Sequence, residues 1–310
     1  MFESILDKVD LERDKFLAKD NSDRIWLLRR GVYFTIFLYF FLLLPKADFF
    51  FGQEALTHEP KHSSDWLEPF VKLLFTETFS SCYLYFIFGL FASIFIGVWK
   101  PFIRVASVFV YFFVFNLFNK AEYITNGSVT ITCLLLFFLI FMSEKKKDYE
   151  NCKSGYVDVL LTNTVFIIAQ IQVCTVYLVA AIYKFTGEEW LAGTAFYYVL
   201  NFEFLSHKLV ANQIFKSDFS LYFMNYFSLF YQVLFPFFVW IKSIKKWLLL
   251  AGLLINIGII VINGLLDFGL IMIVSYSLFI DNETAKKVRG LVKSVFSGDF
   301  RSFKNFNSRN

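Results

Sequence analysis

Residues 176–193 read VYLVAAIYKFTGEEWLAG. The stretch begins as apolar helix and then sets one ammonium, Lys184, among Ala181, Ile182, Tyr183 and Phe185. Glu188 and Glu189 follow, and Trp190 comes six residues after the lysine. Three chemistries are open to Lys184. It can snorkel, with its stem in hydrocarbon and its charge at the interface. In a dehydrated aromatic pocket the ammonium is disfavoured, which leaves an amine able to take a proton as a general base. With a carboxylate in reach it stays charged and anchors an anion or a substrate.

Other polar residues offer less. Gln170 and Gln172 lie in the middle of an apolar run and are read as interhelical hydrogen-bonding groups. Asn263 and Asp267 flank INGLLDFG, where turn chemistry accounts for them. Asn126 lies in NKAEYITNGS. His58 and His62 are spaced i, i+4 but enclose Pro60, and no cysteine or H-E-x-x-H frame accompanies them, so no metal site is expected. His207, in FLSHKLV, reads as a structural histidine on an amphipathic stretch. Cys82, Cys133, Cys152 and Cys174 form no C-x-x-C pair and are read as small hydrophobes. There is no Gly-rich phosphate loop and no nucleophile elbow.

The elements that must hold these residues are membrane helices. The 310 residues are 57% hydrophobic and 18% charged, and the mean hydropathy is +0.56. Long apolar runs recur along the whole chain, which predicts an all-α polytopic membrane protein. Eight segments are long enough to cross: 27–45, 79–98, 102–118, 124–142, 159–183, 219–241, 247–263 and 266–280. The last two are short and close enough to form a re-entrant pair. No cleavable signal is evident, so the first run reads as a retained anchor. Residues 1–23 predict an interfacial amphipathic helix, from Phe2, Ile5, Leu6, Val9 and Phe16. Residues 24–281 form the bundle, and 282–310 a basic tail.

Basic residues orient it. Of 30 lysines and arginines, 23 fall in the termini and in the loops at 99–104, 143–155 and 241–247, all on one side of the eight-span scheme. The other seven fall on the opposite side or at its edge. Both termini are therefore expected in the cytoplasm. The basic side needs only anionic lipid as partner, and no nucleic acid is implied. The opposite end concentrates polar, aromatic and glycine residues, so any site should open outward.

The segment QIQVCTVYLVAAIYKFTGEEWLAGTAFYY carries a Gln, then V-Y, small residues, the lysine, a Gly/acidic turn, W-x-x-G and paired tyrosines. This pattern resembles the vitamin K-dependent carboxylase-like superfamily, whose bacterial members are the horizontally transferred transmembrane (HTTM) domains. Within it, EEWLAGTAFYY and INIGIIVINGLLDFGLIMIVSYSLF look most like the SdpB-like branch, which helps to mature a sporulation-delaying toxin peptide. The likeness covers residues 24–281. In the carboxylases the lysine of this motif deprotonates vitamin K hydroquinone on the lumenal side, and that position falls on Lys184. The chain departs from the carboxylases in two ways. NKAEYITNGSVTIT lacks their histidine, and no large β-rich domain follows the last span. Glutamate carboxylation is thus not expected.

The resemblance implies a helical bundle in the bacterial inner membrane that matures or exports a small secreted, toxin-like peptide. A small accessory protein and the secreted precursor would be its partners. The outward pocket would hold Lys184 with Glu188, Glu189, Trp190, Tyr197, Tyr198, Asn126, Asn263 and Asp267. Two alternatives stay open: an enzyme using a quinone or another isoprenoid lipid, with Lys184 as base, and a non-catalytic scaffold subunit.

Overall fold

The computed structural model describes residues 16–52, 77–98, 103–121, 126–144, 153–201 and 217–297. The described residues are helical, with no strand among them. In chain order they form α1 (Ser22–Leu43), a 3-10 turn (Leu44–Lys46), α2 (Ala47–Phe51), α3 (Glu77–Val98), α4 (Ile103–Lys120) and α5 (Gly127–Phe141). Then come α6 (Lys153–Phe185), α7 (Glu188–Leu191), α8 (Ala195–Asn201), α9 (Asp218–Phe238), α10 (Lys242–Asn263), α11 (Leu266–Ser275), a second 3-10 turn (Tyr276–Leu278) and α12 (Asn282–Ser297).

Each of the eight apolar segments falls on a helix over its described residues. Four stretches are long and apolar enough to cross a membrane: Ser22–Phe51, Ile103–Lys120, Gly155–Phe185 and Lys242–Asn263. Cys82–Val98, Gly127–Phe141 and Leu266–Leu278 are shorter apolar helices. The stretch expected at 266–280 leaves α-geometry after Ser275. The other short one, expected at 247–263, begins five residues earlier, at Lys242. Only 11% of the most apolar stretch of α10 is buried inside the chain. An apolar helix so exposed needs hydrocarbon around it, so this is a helical membrane protein.

The helices group into two compact units. The first contains Met1–Arg29, Phe141–Gly264 and Ile273–Asn310, and the second Arg30–Ile140 and Leu265–Met272. In the second unit α3 and α4 pack antiparallel. Gly89 lies against the Phe113 ring, and Gly97 against Ala106 and the Tyr33 ring. Tyr33 and Ser107 share a buried 2.8 Å hydrogen bond, and Phe40, Phe51 and Phe118 close the core.

In the first unit α6 is the axis. Its 33 residues extend about 48 Å, more than the hydrocarbon thickness, so polar residues at its two ends lie at opposite ends of a span. Helix α9 runs antiparallel to it and is capped by Ser217, whose hydroxyl accepts from the Ser220 N–H. It buries Asn225, Ser228, Leu229, Tyr231 and Phe235, one face at helical spacing.

The segment after residue 281, expected as a plain tail, begins as a helix tied back to the start of the chain. Asn282 donates to the Asp20 carbonyl at 2.6 Å, and Arg289 pairs with Asp23 at 2.5 Å and lies over the Trp26 ring. Residues 1–15, where most of the N-terminal amphipathic helix was expected, lie outside the described residues. So do His58, His62, Cys152 and His207.

Candidate functional site

Helix α6 ends at Phe185, where the Gly187 N–H bonds back to the Lys184 carbonyl at 3.2 Å. One turn of helix, α7, then folds over that end. The Lys184 ammonium stands 4.0 Å from the centroid of the Trp190 ring, a cation–π contact. Both side chains are half-buried. Glu188 and Glu189 are exposed, and among the described residues no carboxylate lies within ion-pair distance of Lys184. The site thus holds a lysine on an aromatic face, not a lysine–glutamate pair.

Helix α9 grips this loop. Asn225, fully buried, donates from Nδ2 to the Trp190 carbonyl at 2.9 Å, and Tyr226 donates to the Leu191 carbonyl at 2.8 Å. Gly193 has φ +79°, a left-handed conformation, and a Cβ there would run into the Tyr222 ring. Gly187, at the start of α7, has φ −91° and ψ 123°, which any residue adopts. Tyr197 and Tyr198 sit on the first turn of α8, half exposed, and meet each other edge to face at 5.7 Å. No hydrogen bond or ring contact joins them to Lys184 among the described residues.

Beside the loop α9 carries an aromatic ladder. Phe219, Tyr222, Phe223, Tyr226, Phe227 and Phe230 line an open cavity of about 390 Å³. Phe223 and Phe227 stack at 5.6 Å with planes 13° apart. Its tyrosine edge is the one that touches the loop. The i, i+3, i+4 spacing of these rings was readable, but in a chain with 44 phenylalanines it reads as lipid-facing bulk.

Deeper in the unit is a buried polar hub. The Tyr276 hydroxyl meets Tyr177 at 2.5 Å and Tyr231 at 3.1 Å, and accepts from Asn256 Nδ2 at 2.9 Å. Each of these residues is at most 5% exposed. Four elements, α6, α9, α10 and the 3-10 turn, are joined at one oxygen. Gly252 lies directly under the Tyr231 and Tyr276 hydroxyls, where a Cβ would collide with both. Tyr177 is seven residues before Lys184, about 10 Å along the same helix. Gln170 donates to the Leu278 carbonyl at 2.7 Å, so it makes the inter-element bond expected of it.

The remaining candidates are elsewhere. Asn263 ends α10 before Gly264, whose φ of +68° closes the helix, so it belongs to a turn. In the second unit Asn126 caps α5, its side-chain oxygen accepting from the Ser128 N–H at 2.7 Å. Asp267 accepts from Asn126 Nδ2 at 2.9 Å and from the Ser128 hydroxyl. Asn126 and Asp267 are thus brought together, as partners of one another.

A helical membrane protein with a lysine–tryptophan loop at one end of its longest described helix is the class these features define. The chain is 26% identical over 219 residues to sporulation-delaying protein SdpB of Bacillus subtilis (strain 168), a match covering 66% of this chain and 67% of that one. No family model matches the chain. No solved structure matches it.

Proposed function

We propose that this chain is an eight-span protein of the bacterial plasma membrane that takes part in maturing or exporting a small secreted, toxin-like peptide. The observation that carries this reading is the similarity to SdpB, which spans two thirds of both chains. Residues 1–23 form the cytoplasmic interfacial helix, 24–281 the bundle and 282–310 the basic tail, with both termini inside. The charge asymmetry supports that orientation. Three ion pairs of the first unit, Arg29–Glu144, Lys245–Asp281 and Arg289–Asp23, support the placing of those segments on one common side. Lys184 is 21 residues beyond Asn163 on α6, about 32 Å, which is one hydrocarbon thickness from that polar end. The peptide would meet Lys184, Trp190 and the neighbouring tyrosines on the outer side. A small accessory protein completes the machinery.

A second reading has its own observation. A half-buried lysine on an indole face with no carboxylate partner is suited to serve as a base, and the aromatic ladder of α9 is suited to an isoprenoid chain. That makes the protein a quinone- or lipid-dependent enzyme of the HTTM type.

Deleting the gene in its host and comparing secreted peptides by mass spectrometry tests the first reading. A mature small peptide should vanish and return on complementation. An unchanged secreted peptide profile overturns it.

A further inference from the structure

Lys184 stands on an inward face of α6. Tyr177, Ala181 and Lys184 are spaced i, i+4 and i+7, which sets them on one side of the helix. Tyr177 and Ala181 on that side are buried, while Ile182, Tyr183 and Phe185, off that side, are exposed. The Trp190 indole attracts the ammonium at 4.0 Å but does not neutralise it, and a lysine ammonium carries three N–H donors. No carboxylate among the described residues pairs with it. Its side chain is half-buried and so keeps surface that a ligand can reach.

An apolar wall begins at the same loop. Tyr226 bonds the Leu191 carbonyl at 2.8 Å, and the Tyr222 ring packs on Gly193. These two tyrosines also line the open cavity of about 390 Å³ along α9, whose other walls are phenylalanines. That volume falls within the range of ligand sites. A ligand that meets both features has an anionic end and an apolar body. Tyr222, Tyr197 and Tyr198 are exposed around the loop. Their hydroxyls are of no use to a hydrocarbon chain but can bond the amides of a peptide.

We infer that the Lys184–Trp190 loop and the α9 ladder together take the C-terminal end of an apolar peptide. The terminal carboxylate accepts from the Lys184 ammonium, and the last apolar side chains lie along Phe223 and Phe227. A chain terminus is the one anion that an otherwise apolar peptide always carries, so it reaches the lysine without a charged side chain on the aromatic wall. Away from bulk water such a charge-assisted bond is strong. The inference rests on the peptide reading of the function and names the end of the peptide that is bound.

The test uses the full chain in detergent, titrated with a dansylated hexapeptide of leucine and phenylalanine and followed by dansyl fluorescence. The peptide is made twice, with a free C-terminal carboxylate and as the C-terminal amide. The free acid should bind about tenfold more tightly than the amide. Lys184→Met should bring the two within about twofold, and Lys184→Arg should keep most of the preference. Phe223→Ala with Phe227→Ala, at exposed side chains, should weaken both forms alike and leave the preference intact. Equal binding of the two forms by the wild type, or none, overturns the inference, and so does a preference that survives Lys184→Met. Unchanged affinity in the double phenylalanine variant overturns the apolar wall. Dodecanoate displacing the free-acid peptide at a concentration below that peptide's own would assign a fatty anion and overturn the peptide. No arm reads secretion, so failure here leaves the gene-deletion result standing, and an unchanged secreted profile leaves the binding result standing.

Discussion

Lys184 and Trp190 are six residues apart in the chain and 4.0 Å apart in space. On a continuous helix, residues at that spacing lie about 9 Å apart along the axis and on different faces. They meet because the helix stops at Phe185 and restarts at Glu188. The contact is therefore a property of the turn, and the turn is held by α9.

The nature of the lysine separates by substitution. Arginine keeps the charge and the stacking but does not release its proton. Under the proposed function, Lys184→Arg and Lys184→Met are compared at equal membrane abundance. Loss of mature peptide in both supports a base, and loss in Met alone supports a cation anchor. Full activity in both returns the residue to snorkelling.

Releasing the loop should mimic part of that loss. Asn225→Ala removes the bond to the Trp190 carbonyl, and Gly193→Ala strains a left-handed position against Tyr222. Each should cost about 1–2 kcal/mol. Trp190 fluorescence should shift to longer wavelength as the ring gains water, measured in variants lacking the other tryptophans. An unchanged spectrum would mean that α9 does not hold the loop.

The tyrosine hub predicts an order of effects. Tyr276→Phe removes the shared oxygen, strands the Tyr177 and Tyr231 hydroxyls and leaves Asn256 Nδ2 with only the Gly252 carbonyl, at a cost of about 1–3 kcal/mol. Tyr231→Phe loses one 3.1 Å bond and should cost less. Gly252→Ala should be worse than either, because the added carbon collides with both hydroxyls. Thermal melts of the purified protein in one detergent rank the three. Equal melting temperatures for Tyr276→Phe and Tyr231→Phe would deny that Tyr276 is the centre.

Arg29 is fully buried and bonds Glu144 at 2.7 Å and the Met142 carbonyl at 2.8 Å. Glu144→Gln removes the charge facing it and should destabilise by about 3 kcal/mol. The double variant Arg29→Met, Glu144→Leu should be milder than Glu144→Gln alone, since no uncompensated charge is left. A double-mutant cycle by thermal unfolding measures the coupling.

Topology is tested by thiol labelling. In a background without native cysteines, Lys146→Cys and Asn126→Cys should react from opposite sides of the membrane. Labelling from one side would remove the eight-span scheme and the outward position of Lys184 with it.

The helices were legible because hydrocarbon demands apolar residues at every turn, whatever the neighbours. That requirement is local, so composition alone marked all eight segments as helices. Gln170 was legible for the same reason, since an amide in an apolar run must find a partner. The candidate site was only half legible. Lys184 and Trp190 stood out as polar and aromatic exceptions in one short stretch. Tyr197 and Tyr198 stood beside them in the chain, but the fold does not join them to the lysine. Asn126 and Asp267 proved to be partners of each other across 141 residues. The Tyr177–Tyr231–Tyr276–Asn256 hub had no mark at all in the chain. In a sequence with 16 tyrosines, one more is unremarkable. What distinguishes Tyr276 is which groups surround it and which of its polar atoms are satisfied. Those are distances between residues far apart in the chain, and only the packing of one helix against another sets them.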